Sequence, residues 1–246
     1  MIEHRVVHCQ HDGTEMVGRI DLPQGPGPHP AILVFPTARG MMEHVLQVSK
    51  ELAGQGYVAL TVDMHGSGAF FNDSNDPGAA TRHLMPLFQT PGALRARVVA
   101  WFEQLRAQPD VDSNRNAAIG YCLGGQCVLE LARHGADLKL VVSFHGTLGT
   151  SDPAQPGAIK ATVAVYNGDA DPFVSRESVT IFEDEMRSAG ARWFLTHFGG
   201  VKHCYTDPGS GNMGVDGNAY DEFATFVTWA GTSALLERFL LDKQND

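Results

Sequence analysis

A cysteine set among glycines is the group in this chain best placed to do chemistry. Residues 119–125 read Ile-Gly-Tyr-Cys-Leu-Gly-Gly, and Cys122 falls where an apolar strand pattern gives way to an apolar helix pattern. Gly-x-Cys-x-Gly at such a junction is a nucleophile elbow, with cysteine where serine usually stands. The bend is sharp enough that the residues two before and two after must be tiny. Gly120 and Gly124 meet that demand, and Gly125 lets the helix pack closely. The helix N-terminus then aims its N–H groups at the sulfur, which favours a thiolate and, after attack, an oxyanion.

Such a nucleophile needs a base, and the base needs an orienting carboxylate. Behind an elbow they follow in the order acid, then histidine. Asn167-Gly168-Asp169-Ala170-Asp171-Pro172 lies just after an apolar strand, where the acid belongs. Asp171 is preferred because Gly-x-x-Asp places its carboxylate in the turn beyond the strand, with Asp169 the reserve. The glycine-rich loop Gly199-Gly200-Val201-Lys202-His203-Cys204-Tyr205 carries the candidate base, His203. The oxyanion hole is expected to use the N–H of Leu123 and that of Ala38 or Thr37; Pro36 has none to give. Tyr121 and His145 are expected to line the pocket, with bonding to local backbone the alternative for His145 and for His65. Cys127 is expected to pack inside the elbow helix. Cys204 is expected to be a wall residue, with a redox role as the rival reading. His8, Cys9 and His11 lack a fourth ligand and the usual spacing, so they predict no zinc site.

The elements that must position these groups are legible as alternation. Glu3–Cys9 and Thr14–Asp21 read as a hairpin around Asp12-Gly13. Pro23–Pro30 reads as a connector. Ala31–Phe35, Tyr57–Val62, Asn116–Gly120, Leu138–His145, Thr162–Asn167 and Arg192–His197 are apolar runs of the buried-strand kind. Helical patterns stand between them: one carrying Val45, Val48, Leu52 and Ala53, then Leu94–Arg106 with Val98, Val99, Phe102 and Leu105 inward. Leu123–His134, Arg176–Ala189 and Tyr220–Leu241 complete the set. Arg95, Arg97, Arg106 and Arg115 are expected on a solvated face and loop, and Trp101 and Trp193 in core and sheet cover. Strands alternating with helices predict a mostly parallel sheet covered on both faces, with ligands beyond the carboxyl ends of the strands. Residues 66–92, rich in Gly, Asn, Asp and Pro, predict an irregular excursion at that edge.

The 246 residues, 43% of them hydrophobic, suit one large α/β domain spanning 1–246. A formal net charge of −10 speaks against nucleic acid or an anionic membrane as partner. Residues 1–30 hold no apolar leader and no run is long enough to span a bilayer, so neither export nor insertion is expected. Four cysteines without paired spacing predict no disulfide framework and a reducing, cytoplasmic setting.

Gly120-Tyr121-Cys122-Leu123-Gly124-Gly125, Gly168-Asp169-Ala170-Asp171, His203-Cys204-Tyr205-Thr206 and Gly56–Gly66 together resemble the dienelactone hydrolase family of the α/β-hydrolase superfamily. The likeness extends over most of the chain, including Leu94–Arg106 and Val142–Gly146. It implies an α/β-hydrolase fold and a Cys122–His203–Asp171 triad that cleaves esters or lactones through an acyl-thioester. The family carries a glutamate after the third strand that helps activate the thiol; here Thr37 holds that position, which leaves His203 to act alone. The family's carboxylate-binding arginines have Arg39 and Arg82 as candidates. The sequence therefore predicts a cysteine hydrolase of small esters or lactones, with or without a free carboxylate on the substrate. It implies no metal or organic cofactor, and a monomer or small homo-oligomer. The alternatives are a catalytically silent, ligand-binding relative and a thiol redox enzyme with Cys204 as resolving cysteine.

Overall fold

Asp12 and Gly13 both adopt positive φ, 49° and 70°, which a two-residue type I′ turn requires and which Asp-Gly tolerates. In the computed structural model, which describes residues 2–66 and 79–242, this turn closes an antiparallel hairpin of β1 (Glu3–His11) and β2 (Thr14–Leu22). Each strand runs slightly past the expected limit. On β1 successive side chains face opposite sides. Cys9 is therefore in the core, while His8 points out and pairs with Glu15.

The remaining strands are β3 (His29–Phe35), β4 (Val58–Thr61), β5 (Val111–Tyr121), β6 (Leu140–Phe144), β7 (Thr162–Gly168) and β8 (Trp193–Phe198). They complete an eight-stranded sheet of order β1-β2-β4-β3-β5-β6-β7-β8. From β4 to β8 all pairing is parallel; β2 meets β4 antiparallel.

The continuous apolar runs have a plain cause. On β3, Ala31, Leu33 and Phe35 enter one core, and Ile32 and Val34 enter the other. The first core is roofed by α3 (Ala93–Arg106), α4 (Leu123–His134) and α5 (Arg176–Ser188); the second by α1 (Glu43–Gly54) and α6 (Glu222–Leu236), which runs on into a wider turn at Glu237–Leu241. Burying both faces requires apolar residues at every position of a central strand. No helix among the described residues is long and apolar enough to cross a membrane.

Two expectations need correction. The excursion at 66–92 is not irregular throughout, because Ala79–Gln89 forms a helix, α2, with Leu84 and Leu87 buried against the first core. Pro86 inside it and Gly92 beyond it hid the helical pattern; residues 67–78 lie outside the described part. Arg97 is not on a solvated face. It is buried, and its guanidinium donates to the Met64 carbonyl (2.9 Å) and the Thr14 hydroxyl (3.3 Å), tying α3 to the loop after β4 and to the hairpin. Arg95 likewise reaches inward to Glu130 at 2.8 Å. Trp101 is core, its ring N–H donating to the Asp63 carbonyl at 2.7 Å.

Candidate active site

The elbow is as tight as its sequence demands. β5 ends at Tyr121, α4 begins at Leu123, and Cys122 between them has φ 55° and ψ −113°. A Cβ on Gly120 would lie 1.9 Å from the Gly124 carbonyl oxygen, and one on Gly124 only 2.1 Å from that of Phe35. The strand, the helix and the end of β3 thus touch backbone to backbone, which only glycine permits. The Cys122 N–H is shared between the Phe144 carbonyl (3.0 Å) and Nδ1 of His145 (3.1 Å).

His145 itself is buried, has φ 39°, and its Nε2 lies 2.9 Å from the Thr206 hydroxyl. Burial, then the nearby charge of His203, holds its pKa well below the usual imidazole value. A neutral ring that accepts at Nδ1 must carry its proton on Nε2 and donate it to Thr206. His145 therefore braces the elbow from behind rather than lining the mouth. Tyr121 is also buried; it stacks on Phe144 at 4.8 Å and faces a separate cavity of about 430 Å3 between α1 and α6. Neither ring lines the cavity on which Cys122 opens: Tyr121 packs in the second core, and His145 takes the alternative of bonding to local backbone, its ring 5.2 Å from that of His203.

Asp171 sits in the turn after β7, where its Oδ1 accepts the Phe173 N–H at 2.8 Å. Its Oδ2 is 2.7 Å from Nδ1 of His203, with both residues about 5% exposed or less. Asp169 instead pairs with Arg176 at the surface. The Gly217 carbonyl accepts the His203 N–H at 2.9 Å, and Phe173 packs edge-on against the ring. With Nδ1 engaged, Nε2 faces the nucleophile. The Cys122 sulfur, a His203 ring nitrogen and the Cys204 sulfur all lie within 4.8 Å of one another.

The electrostatics follow from this packing. Hydrogen bonding from the Cys204 thiol, opposed by burial and reinforced by His203 and the Leu123 N–H, draws the Cys122 pKa well below that of an ordinary thiol. Burial works against a charged His203, but its bonds to Asp171 and Cys122 outweigh it and raise the ring to about 9. Cys204 is pushed far up by its bond to Cys122 and by burial, so it remains a thiol and a donor. Both directions favour a thiolate beside an imidazolium.

Cys122 is half-buried and opens onto a cavity of about 190 Å3 that Ala38 and Leu123 also line. The Ala38 carbonyl accepts from Nε2 of His65 at 2.9 Å, and Asp63 holds His65 and Gly66 by their N–H groups at 2.7 and 3.1 Å. His65 thus fixes the loop that carries Ala38. Thr37 accepts the Arg39 N–H at 3.2 Å. The α2 residues Leu84, Met85 and Phe88 also line the cavity, a wall that the sequence did not disclose because Pro86 interrupts the helical pattern. Arg39 and Arg82 do not line this cavity; Arg82 borders a different one, on the hairpin side of α2. The four cysteines are free thiols, and Cys127 is buried within α4 as expected.

The chain is similar to known proteins along most of its length. The dienelactone hydrolase family profile matches residues 16–240. An uncharacterized protein of Caenorhabditis elegans is 34% identical over 148 residues, 59% of this chain and 94% of that protein. A Bradyrhizobium protein named "Probable 2-oxo-3-(5-oxofuran-2-ylidene)propanoate lactonase" is 24% identical across 95% of this chain and 93% of its own length. Among solved structures, a dienelactone hydrolase-like promiscuous phosphotriesterase from metagenomic libraries superposes with a TM-score of 0.88 at 33% identity, covering 97% of this chain and 98% of that one.

Proposed function

The chain belongs to the dienelactone hydrolase family, and from that premise we propose that it hydrolyses small carboxylic esters or lactones through a thioester on Cys122. The thiolate attacks the carbonyl carbon, and the N–H groups of Leu123 and Ala38 receive the developing oxyanion. The His203 imidazolium gives its proton to the departing alkoxide as the tetrahedral intermediate collapses. The neutral ring then takes a proton from water, which attacks the thioester and releases the acid and the thiolate. Asp171 holds the ring in the tautomer that keeps Nε2 available. The family's lactonase relative supports the substrate class.

The observation that carries this reading is the short Asp171–His203 bond at 2.7 Å behind a sulfur presented at positive φ. Thiolate and imidazolium supply attack and protonation without a carboxylate at position 37.

The experiment is intact-mass analysis of the reduced enzyme mixed with an activated acetate ester. An acyl adduct should appear on Cys122 and persist in His203→Ala, where deacylation loses its base. Cys122→Ala should lose roughly 10²-fold or more of the rate. Hydrolysis by Cys122→Ala as fast as the parent, or a thiol that labels with an ordinary pKa beside no turnover, would favour the silent, ligand-binding reading. Pairing each neutral ester with a carboxylate-bearing analogue reports the acyl preference, and a phosphotriester arm tests the activity named for the structural relative.

A further inference from the structure

Hydrolysis needs Cys122, His203 and Asp171, yet the residue after the base is also a cysteine held in an unfavourable conformation. Among the described residues, the non-glycine positions with positive φ are Asp12, Cys122, His145 and Cys204. Asp12 belongs to the hairpin turn; the other three converge on the nucleophile. Cys204 has φ 53° and is 5% exposed. Strain of this kind persists only where its surroundings enforce it, and it gathers at functional sites. What it achieves here is to bring a second sulfur beside the first.

Two sulfurs and one imidazole nitrogen within 4.8 Å of one another make a donor set of a recognisable type. Zinc takes thiolate sulfur at about 2.3 Å and imidazole nitrogen at about 2.0–2.1 Å in a tetrahedron, so its donors sit about 3.5–4 Å apart. The donor triangle, with every side at or below 4.8 Å, is near that size. A zinc-bound histidine commonly gives its other ring nitrogen to a carboxylate, which fixes the ring and strengthens the ligand. Asp171 already does so at Nδ1, leaving Nε2 for the ion. One of the three donors, Cys122, opens onto a cavity of about 190 Å3.

We propose that Cys122, His203 and Cys204 form a binding site for a soft divalent cation of the zinc type, and that its occupancy silences hydrolysis. The ion engages the sulfur lone pair that attacks substrate and the nitrogen that carries the proton. On binding, Cys204 and His203 Nε2 each give a proton to solvent, since only deprotonated ligands coordinate. Cys204 is what separates this centre from a cysteine–histidine pair that binds metal weakly. The inference concerns control of the same site as the hydrolytic reading, but binding is measured without turnover, so the two fail separately.

The test is titration of the reduced, metal-free protein with cobalt(II), followed by displacement with zinc(II). One equivalent of cobalt should give the near-ultraviolet absorption of cobalt–thiolate bonds together with tetrahedral visible bands, and zinc should abolish both. Cys204→Ser should lose about half of the thiolate absorption and at least tenfold in zinc affinity, with Cys204→Ala as a second variant should the first disturb folding. Asp171→Asn should weaken zinc about 10–100-fold. Zinc should inhibit the parent with a midpoint that matches its binding and that a chelator reverses. Absence of thiolate absorption at one equivalent, or zinc affinity unchanged in both Cys204 variants, overturns the proposal and leaves the metal-free hydrolytic assay untouched.

Discussion

Cys122 and His203 lie close enough together that the pH dependence belongs to the pair rather than to either residue. In the proposed mechanism the productive state holds a thiolate and an imidazolium together. Its lower limit is the depressed Cys122 pKa, and its upper limit is the loss of the His203 proton near 9. The expected kcat/KM profile is level through neutrality and falls as pH passes about 9. In Asp171→Asn the imidazolium loses its supporting carboxylate, so that limb should move to lower pH while the rate drops on the order of 10²–10⁴-fold. A rate that climbs through pH 9 would contradict the ionised resting pair. At the same scale, Gly120→Ala forces a methyl to 1.9 Å from the Gly124 carbonyl oxygen. No flexible side chain stands there to yield, so the cost should reach about 3 kcal/mol or more in urea unfolding.

Elements place these residues, and two of the placements can be tested. α2 supplies the apolar wall above the sulfur, with Phe88 about half exposed on the cavity side. Phe88→Ala removes contact area that substrate meets equally in ground and transition states. KM should therefore rise several-fold with kcat nearly constant; a fall in kcat alone would mean that α2 shapes the chemistry instead. On α4, Arg133 is buried between Glu130 (3.1 Å), Glu185 (2.8 Å) and the Leu148 carbonyl (2.7 Å). It joins the elbow helix to α5 and to the loop after β6. Arg133→Ala leaves Glu130 with Arg95 alone and Glu185 with only the Ala154 N–H, and should cost about 3 kcal/mol of stability, read from the shift of the denaturation midpoint. The buried Arg97 and inward-reaching Arg95 play the same kind of part, as struts between layers rather than as a cationic face.

At the scale of the whole molecule, the net charge of −10 sets a repulsive field for any anionic substrate. Among the described residues that line the Cys122 cavity none is cationic. Added salt, with a screening length of about 10 Å at 0.1 M, should raise kcat/KM for a carboxylate-bearing ester relative to its neutral analogue. A decrease with salt would return Arg39 or Arg82 to the substrate. The amino-acid order alone determined the parts that local rules govern. The apolar runs between helical patterns gave the parallel sheet, Asp-Gly gave the hairpin turn, and Gly-x-Cys-x-Gly gave the bend at Cys122, because strand burial and sharp turns restrict residue type position by position. It also brought Asp171 and His203 into view as the groups to follow an elbow. Only the tertiary structure decided what depends on contacts between distant segments: that Asp171 rather than Asp169 meets His203, that His145 and Tyr121 turn inward, that Arg97 is buried, and that Cys204 lies against Cys122. Those outcomes rest on which side chains the folded sheet brings within a few ångströms, and no local pattern encodes a distance across a hundred residues.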